Sequence, residues 1–331
     1  MQLFNSLIKG EKMTDRIFFR PILMHFAARF YNSTYGKFAS DYRVLVESNI
    51  KAMEHFDTDM VSLISDPYRE TSAFGARIEY VEEGVPRCLE TIVNSIEDVK
   101  NLPDPDLYKC ERTIDRIRGV QYFQKLLKNT VPVGGWIEGP LAESCDLAGV
   151  QNMMIWMMTD PDFTNRLMDK CMKVAKRFAK IQVEEGCHLI GIGDAICSQI
   201  DRDTYDLYVK HRHAELISYI HELGVPVKLH ICGNITHILP SIRDIKTDII
   251  DIDWAVDMDE AREVLGDDVV LGGNVNPVAV QDKTEQEVFD LSRALVDRYR
   301  DQKYLLAAGC EITVLTPHEN LMAMRKASYL Q

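Results

Sequence analysis

The chain has 331 residues, 46% of them hydrophobic and 27% charged, an ordinary globular composition that can bury a large core without disulfide or metal staples. A formal net charge of −13, with no Lys/Arg cluster to offset it, argues against nucleic-acid binding. No stretch approaches the roughly 18 uninterrupted apolar residues of a membrane span, and the start "MQLFNSLIKGEKMTDR" has no long apolar run of the secretory type, so a cytoplasmic chain without a membrane partner is expected.

Residues 1–15 read as a helical extension across the bottom of the fold. Short β-branched runs then alternate with long helical stretches. The runs are Arg16–Leu23, Asp59–Ser65, Val131–Glu138, Leu189–Ala195, Pro226–Cys232, Asp248–Asp253, Val269–Val275 and Tyr304–Cys310. Residues 76–90, with Gly84 inside an alternating pattern, read as a β-hairpin inserted after the second run. Among the helices, "TDPDFTNRLMDKCMKVAKRFAKIQVEEG" has Thr159 as its expected N-cap, Pro161 in the first turn and Gly186 as its stop. "RDTYDLYVKHRHAELISYIHELG", "TEQEVFDLSRALVDRY" and "TPHENLMAMRKASYL" read as helices in the same way. Strands alternating with helices imply a parallel sheet, and eight near-continuous apolar strands imply closure into a single-domain (β/α)8 TIM barrel over residues 1–331. An open doubly wound sheet is the alternative. It lacks a GxGxxG opening a helix, since "LGGNV" has the wrong spacing.

In such a barrel chemistry gathers at the C-terminal strand ends. This sequence places Asp66 after the second strand, Glu138 at the end of the third with Glu143 and Asp146 beyond, and Asp194 after the fourth. His230 and Cys232 follow at the fifth, Asp251 and Asp253 at the sixth, Asn274 at the seventh, and Cys310 and Glu311 at the eighth. Buried charges are costly unless paired or bound to metal, so this convergence predicts a polar pocket. His230 and Cys232 share a face by the period of two, and Cys310 ends the eighth strand on the same side. Three N and S ligands with one position open is the arrangement of a catalytic zinc site. The bland alternatives are a hydrogen-bonded histidine at a strand end and cysteines serving as small core residues. The other cysteines (88, 110, 145, 171, 187 and 197) are scattered without a CxxC pair and are expected to be reduced. Asp194 and Asp66 are candidate functional carboxylates, against a capping or loop-bonding role, with Glu138 and Glu143 beside them. "MMIWMMT" reads as a core helix rather than a cofactor patch.

"LISDP", "GPLAESCDLAGVQNMMIWMMTDPDF", "GIGDAICSQIDRDTYDLYVKHRH", "KLHICGN", "LGGNVNP" and "AAGCEITVLTPHENLMAM" together resemble the uroporphyrinogen decarboxylase superfamily over nearly the whole length. The decarboxylase branch carries an arginine-rich R-Q-A-G-R-Y stretch. Here it reads "HFAARFY", with His25 for the first arginine and Arg29 retained, and Cys310 stands where that branch has histidine. His230, Cys232 and Cys310 match the H-x-C-x(n)-C zinc motif of the cobamide-dependent methyltransferase branch. That resemblance implies Zn2+ on these three residues, with Asp194, Glu138 and Glu143 in catalytic roles and Asp66, His25, Arg29 and Asn274 contacting substrate. It also implies a corrinoid (methylcobamide) carried by a separate corrinoid-binding protein, and a small-molecule thiol or methylated compound as the other partner. A metal-free uroporphyrinogen decarboxylase and a non-catalytic corrinoid- or tetrapyrrole-binding protein are the alternatives.

Overall fold

The structure is a computed structural model and describes residues 1–330. Eight parallel strands curl into a TIM-barrel-like α/β fold. The strands in chain order are β1 (Phe18–Phe19), β2 (Val61–Ser62), the outlying β3 (Ile78–Glu79) and β4 (Arg87–Cys88), β5 (Val133–Glu138), β6 (Leu189–Gly193), β7 (Val227–His230), β8 (Ile249–Ile252), β9 (Val270–Val275) and β10 (Tyr304–Ala308). The barrel sheet runs β1-β10-β9-β8-β7-β6-β5-β2. Between β1 and β2 the ladder gives way to two bonds at Asp59. Its backbone N–H donates to Phe19 O at 2.9 Å, and its carboxylate accepts from Phe19 N–H at 2.8 Å. This seam explains why the first two strands are far shorter than their apolar runs: they pair on one side only.

β3 and β4 form an antiparallel pair, Ile78 opposite Cys88, and residues Gln2–Lys9 form a helix that buries Phe4 and Leu7. Two expected caps move. The long helix spans Pro161–Glu184 with Asp160, not Thr159, as N-cap, because the Asp160 carboxylate accepts from Phe163 N–H at 3.0 Å while Thr159 ends the preceding helix. The last helix, His318–Ala327, starts after Pro317 without a side-chain cap. Thr284 does cap Glu285–Tyr299, in a capping box with Glu287. The methionine-rich helix Val150–Thr159 buries Met153 and Met157, whereas Met158 is 86% exposed.

Every residue of β5, β6, β7, β8 and β10 is buried, as a parallel sheet covered by helices on its outside requires. Two glycines of β6 make room inside the barrel. A Cβ on Gly191 or Gly193 would fall within 2.6 Å of the Trp136 ring, so this indole can lie across the neighbouring strand. Trp136 thereby reaches the edge of the His230 ring, with centroids 5.8 Å apart.

Candidate metal centre and pocket

β7 and the turn after it present His230 and Cys232 on one side, and the turn after β10 brings in Cys310. His230 Nε2 lies 2.9 Å from Cys232 Sγ, and Cys232 Sγ lies 3.4 Å from Cys310 Sγ, too far for a disulfide. The three donor atoms all lie within 4.8 Å of one another. Zinc bonds to sulfur and imidazole nitrogen run about 2.0–2.3 Å, so one ion would reach all three with little rearrangement. The residues fit such an ion, and both cysteines keep part of their surface open toward the pocket.

The imidazole is held from behind. In the β7–β8 register His230 stands opposite Asp251, and Asp251 Oδ2 accepts from His230 Nδ1 at 2.7 Å. This leaves Nε2 free for a ligand bond, the carboxylate–histidine arrangement usual behind metal sites. Asp251 also binds the buried Lys228 ammonium and faces Arg20 Nη1 at 3.6 Å. Burial alone would raise the Asp251 carboxyl, but Lys228, His230 and Arg20 outweigh it and hold it well below the usual range. Burial and Arg20 bring Lys228 down to about 8 despite Asp251. Burial disfavours a charged His230, but its bonds to Asp251 and Cys310 move its pKa up. The hydrogen bond from Cys232 holds Cys310 at about 4, with burial opposing and His230 assisting, while the Cys232 thiol rises in consequence. The two sulfurs thus compete for one proton, and the pair favours a thiolate.

These groups form one end of a cavity of about 300 Å³. Ile22, Met24, Ile64 and Trp136 give it an apolar wall, and Asp66, Glu138, Asp146 and Glu311 are its charged lining. Asp66 is tied by the Arg112 guanidinium and by Ser65 Oγ at 2.6 Å. Burial works to raise its carboxyl, but Arg112 and Arg69 outweigh it and hold it at about 2. Arg69, wholly buried, donates to Glu138 Oε1 at 2.6 Å and to the Asp66 carbonyl, and its Nε stands 3.7 Å from Glu70. Trp136 Nε1–H also donates to Glu138 Oε1, at 3.0 Å. Glu138 and Asp146 in this wall crowd together with Glu70 and Glu143 behind it, and burial pushes all four carboxyls up. Glu311 is raised to about 7 by burial and by Cys310.

Of the residues singled out from the sequence, His230, Cys232, Cys310, Asp66 and Glu138 meet in this cavity. The other five stand apart from it. Asp194 is fully buried; its carboxylate accepts from Ala142 N–H at 2.7 Å, Leu141 N–H at 3.3 Å and His213 Nε2 at 2.9 Å, so it caps the helix Pro140–Ala148 and has no free edge for substrate. Cys197 lies within 4.8 Å of Asp194 and His213, in a cluster with no exposed member. Glu143 faces Thr71 Oγ1 at 3.2 Å behind the wall. His25 stacks on Tyr35 and bonds Glu83, Arg29 is exposed on its helix, and the Asn274 amide ties down Val256 O at 2.9 Å. Sequence reasoning passed over Lys228, Arg20, Arg69 and Arg112. Lys228 was within reach, since it lies two positions before His230 on the same face; Arg69 and Arg112 sit on helices, where an arginine ordinarily reads as solvated.

A parallel barrel with a His–Cys–Cys group at its C-terminal mouth that could hold a metal ion defines the class: a TIM-barrel-like α/β protein. The uroporphyrinogen decarboxylase (URO-D) family profile matches residues 1–329, and the chain belongs to that family. It is 25% identical over 261 residues to the methylated-thiol–coenzyme M methyltransferase of Methanosarcina mazei, covering 78% of this chain and 69% of that protein. It is 26% identical over 223 residues to the methylcobamide:CoM methyltransferase MtaA of Methanosarcina barkeri, covering 66% and 64%. Bacterial uroporphyrinogen decarboxylases align at 22–26% identity. A solved methyltransferase structure from Methanosarcina mazei superposes with a TM-score of 0.88 at 21% identity, over 98% of this chain and 97% of that one.

Proposed function

We propose that this protein is a zinc-dependent methyltransferase that moves a methyl group between a corrinoid carried by a partner protein and a small thiol or methylated compound. The observation that carries the reading is the meeting of His230, Cys232 and Cys310 at one end of a substrate-sized cavity. Zinc there supplies a Lewis acid that lowers the pKa of a bound thiol or polarises a leaving sulfur or oxygen. Asp251 fixes the tautomer and orientation of His230. Glu138 and Asp66, held by Arg69 and Arg112, orient the substrate within the same cavity. In the thiol direction the partner's corrinoid would supply the methyl group and retain the electron pair of its carbon bond, and His230, Cys232 and Cys310 would hold the ion that keeps the accepting thiol deprotonated.

A decarboxylase would grip a tetrapyrrole bearing carboxylates around its rim. The cavity of about 300 Å³ lies at the small end of ligand sites, and no lysine or arginine is among its lining residues. The partner has a ready face. Trp254, Val278 and Leu315, each more than half exposed, follow β8, β9 and β10 on the side of Cys310. Trp254→Ala is expected to lower the methyl-transfer rate on a corrinoid protein about tenfold or more while sparing the rate on free methylcobalamin. Equal losses with both would place Trp254 in the pocket chemistry instead.

Metal analysis of chain purified without chelator tests the core of the reading. Zinc near one equivalent is expected, falling sharply in Cys310→Ser. A metal-free wild type that gains no zinc on dialysis would sink it.

A further inference from the structure

The lining around the donor trio has a charge that narrows the substrate class. All the carboxylic residues that line the cavity, Asp66, Glu138, Asp146 and Glu311, are met by no lining lysine or arginine. The cations nearby lie outside the lining, and each faces an acid of the fold, although Arg20 Nη1, Arg69 Nε and Arg112 Nε lack a hydrogen-bond partner. Arg69 bonds Glu138 and the Asp66 carbonyl, Arg112 bonds the Asp66 carboxylate and the Ala39 carbonyl, and Lys228 and Arg20 face Asp251 beneath His230. Two of the acids keep an unused oxygen. Asp146 Oδ2 is buried without a hydrogen-bond partner, and Glu138, 7% exposed, bonds through Oε1 alone. A buried polar atom left unpaired is destabilising unless a ligand satisfies it. Protonated, such a carboxyl donates to a hydroxyl or ether oxygen; ionised, it pairs with an ammonium. An ionised carboxylate repels an anion, and Asp66, held at about 2 by Arg112 and Arg69 against burial, stays ionised in the lining.

We infer that the small molecule meeting the trio is uncharged or cationic, with a hydroxyl- or amine-type head bonded to Glu138 and Asp146, and that thiols or methyl donors bearing a sulfonate or carboxylate are rejected. This deepens the methyl-transfer reading and rests on it. Charge selection is built into the pocket itself. A desolvated anion in this pocket would meet no lysine or arginine in the lining, whereas an amine would find carboxyl oxygens to accept its hydrogen bonds.

The test compares three thiols of like length, mercaptoethanol, cysteamine and mercaptoethanesulfonate, on the full chain. Calorimetry on the zinc-loaded protein gives affinity, corrected for each thiol's thiolate fraction. Cobalt(II) substitution reads metal–sulfur bonding through its charge-transfer absorption. Mercaptoethanol and cysteamine are expected to bind at least about tenfold tighter than the sulfonate, and Asp146→Asn is expected to narrow that gap to about threefold or less. The same charge order without a cobalt absorption change keeps the selectivity and removes the metal–thiol reading. A sulfonate that binds as tightly as mercaptoethanol overturns the inference and leaves the metal reading standing. Failure of all three thiols to bind overturns both.

Discussion

Asp251 bears more on the site than any residue outside the donor trio. One carboxylate orients His230 and is the counter-charge that both Lys228 and Arg20 face, all buried. Asp251→Asn keeps the shape but loses the charge that fixes the imidazole tautomer. Zinc affinity, measured by chelator competition on folded protein, is expected to fall on the order of 10–100-fold. The variant also leaves two buried cations short of a counter-charge, so stability should drop by about 3–5 kcal/mol in denaturant titration. Lys228→Met in that background removes one of those cations and should recover part of the stability while leaving the metal defect in place. Unchanged zinc affinity in Asp251→Asn would show that packing alone orients His230. His230, Cys232 and Cys310 were legible in the sequence because their chemistry is rare and their spacing is periodic. Asp251 was visible as a strand-end acid, but its role was not, since that depends on the β7–β8 register, which sets His230 opposite it.

At the scale of elements, the apolar runs located all eight barrel strands, yet the order of their end residues says little about which way a side chain turns. Asp194 shows the limit. It follows β6 as a catalytic strand-end acid would, but Gly139 lets a helix N-terminus come so close that a Cβ there would fall 2.5 Å from the Asp194 Cβ and Cγ atoms. The helix N–H groups claim the carboxylate before any substrate can. Gly309 is the corresponding device at the metal centre. A Cβ there would lie 2.3 Å from the Trp254 backbone nitrogen and 3.0 Å from Asp253 Cα, so the turn carrying Cys310 can pass the β8 turn only without a side chain. The obstacle is backbone and cannot swing aside. Gly309→Ala is therefore expected to cost about 1–3 kcal/mol and to displace Cys310, with zinc retention lost in parallel. A variant with wild-type zinc content and melting temperature would show that the two turns can part without cost. The short β1 and β2 were overestimated for a different reason: apolar runs predict burial, whereas strand length also needs a partner on each side, and the seam at Asp59 denies one.

Across the whole molecule the excess of acid is partly internal, and that sets the pH dependence of stability. Glu70, Glu138, Glu143 and Asp146 have raised carboxyls in the fold, led by burial. The native state therefore binds more protons than the unfolded chain above the ordinary glutamate pKa of about 4.3, and stability must fall as pH rises from there. Asp66 acts in the opposite sense. Its carboxyl, held at about 2 by Arg112 and Arg69 against burial, contributes stability that is present above about pH 4 and lost as pH falls toward 2. Maximum stability is thus expected at mildly acid pH, between the loss of Asp66 and the ionisation of the wall. Glu143→Gln separates the two effects, because the amide can still accept from Thr71 Oγ1 and cannot ionise. Its melting temperature should match wild type near pH 5 and exceed it by a few degrees at pH 8, both measured with zinc saturating so that the metal's contribution is common to the pair. A difference that stays constant across that range would mean that Glu143 is ionised in the fold just as it is in the unfolded chain, and the crowding of four carboxyls would have to be relieved by proton uptake elsewhere in the wall.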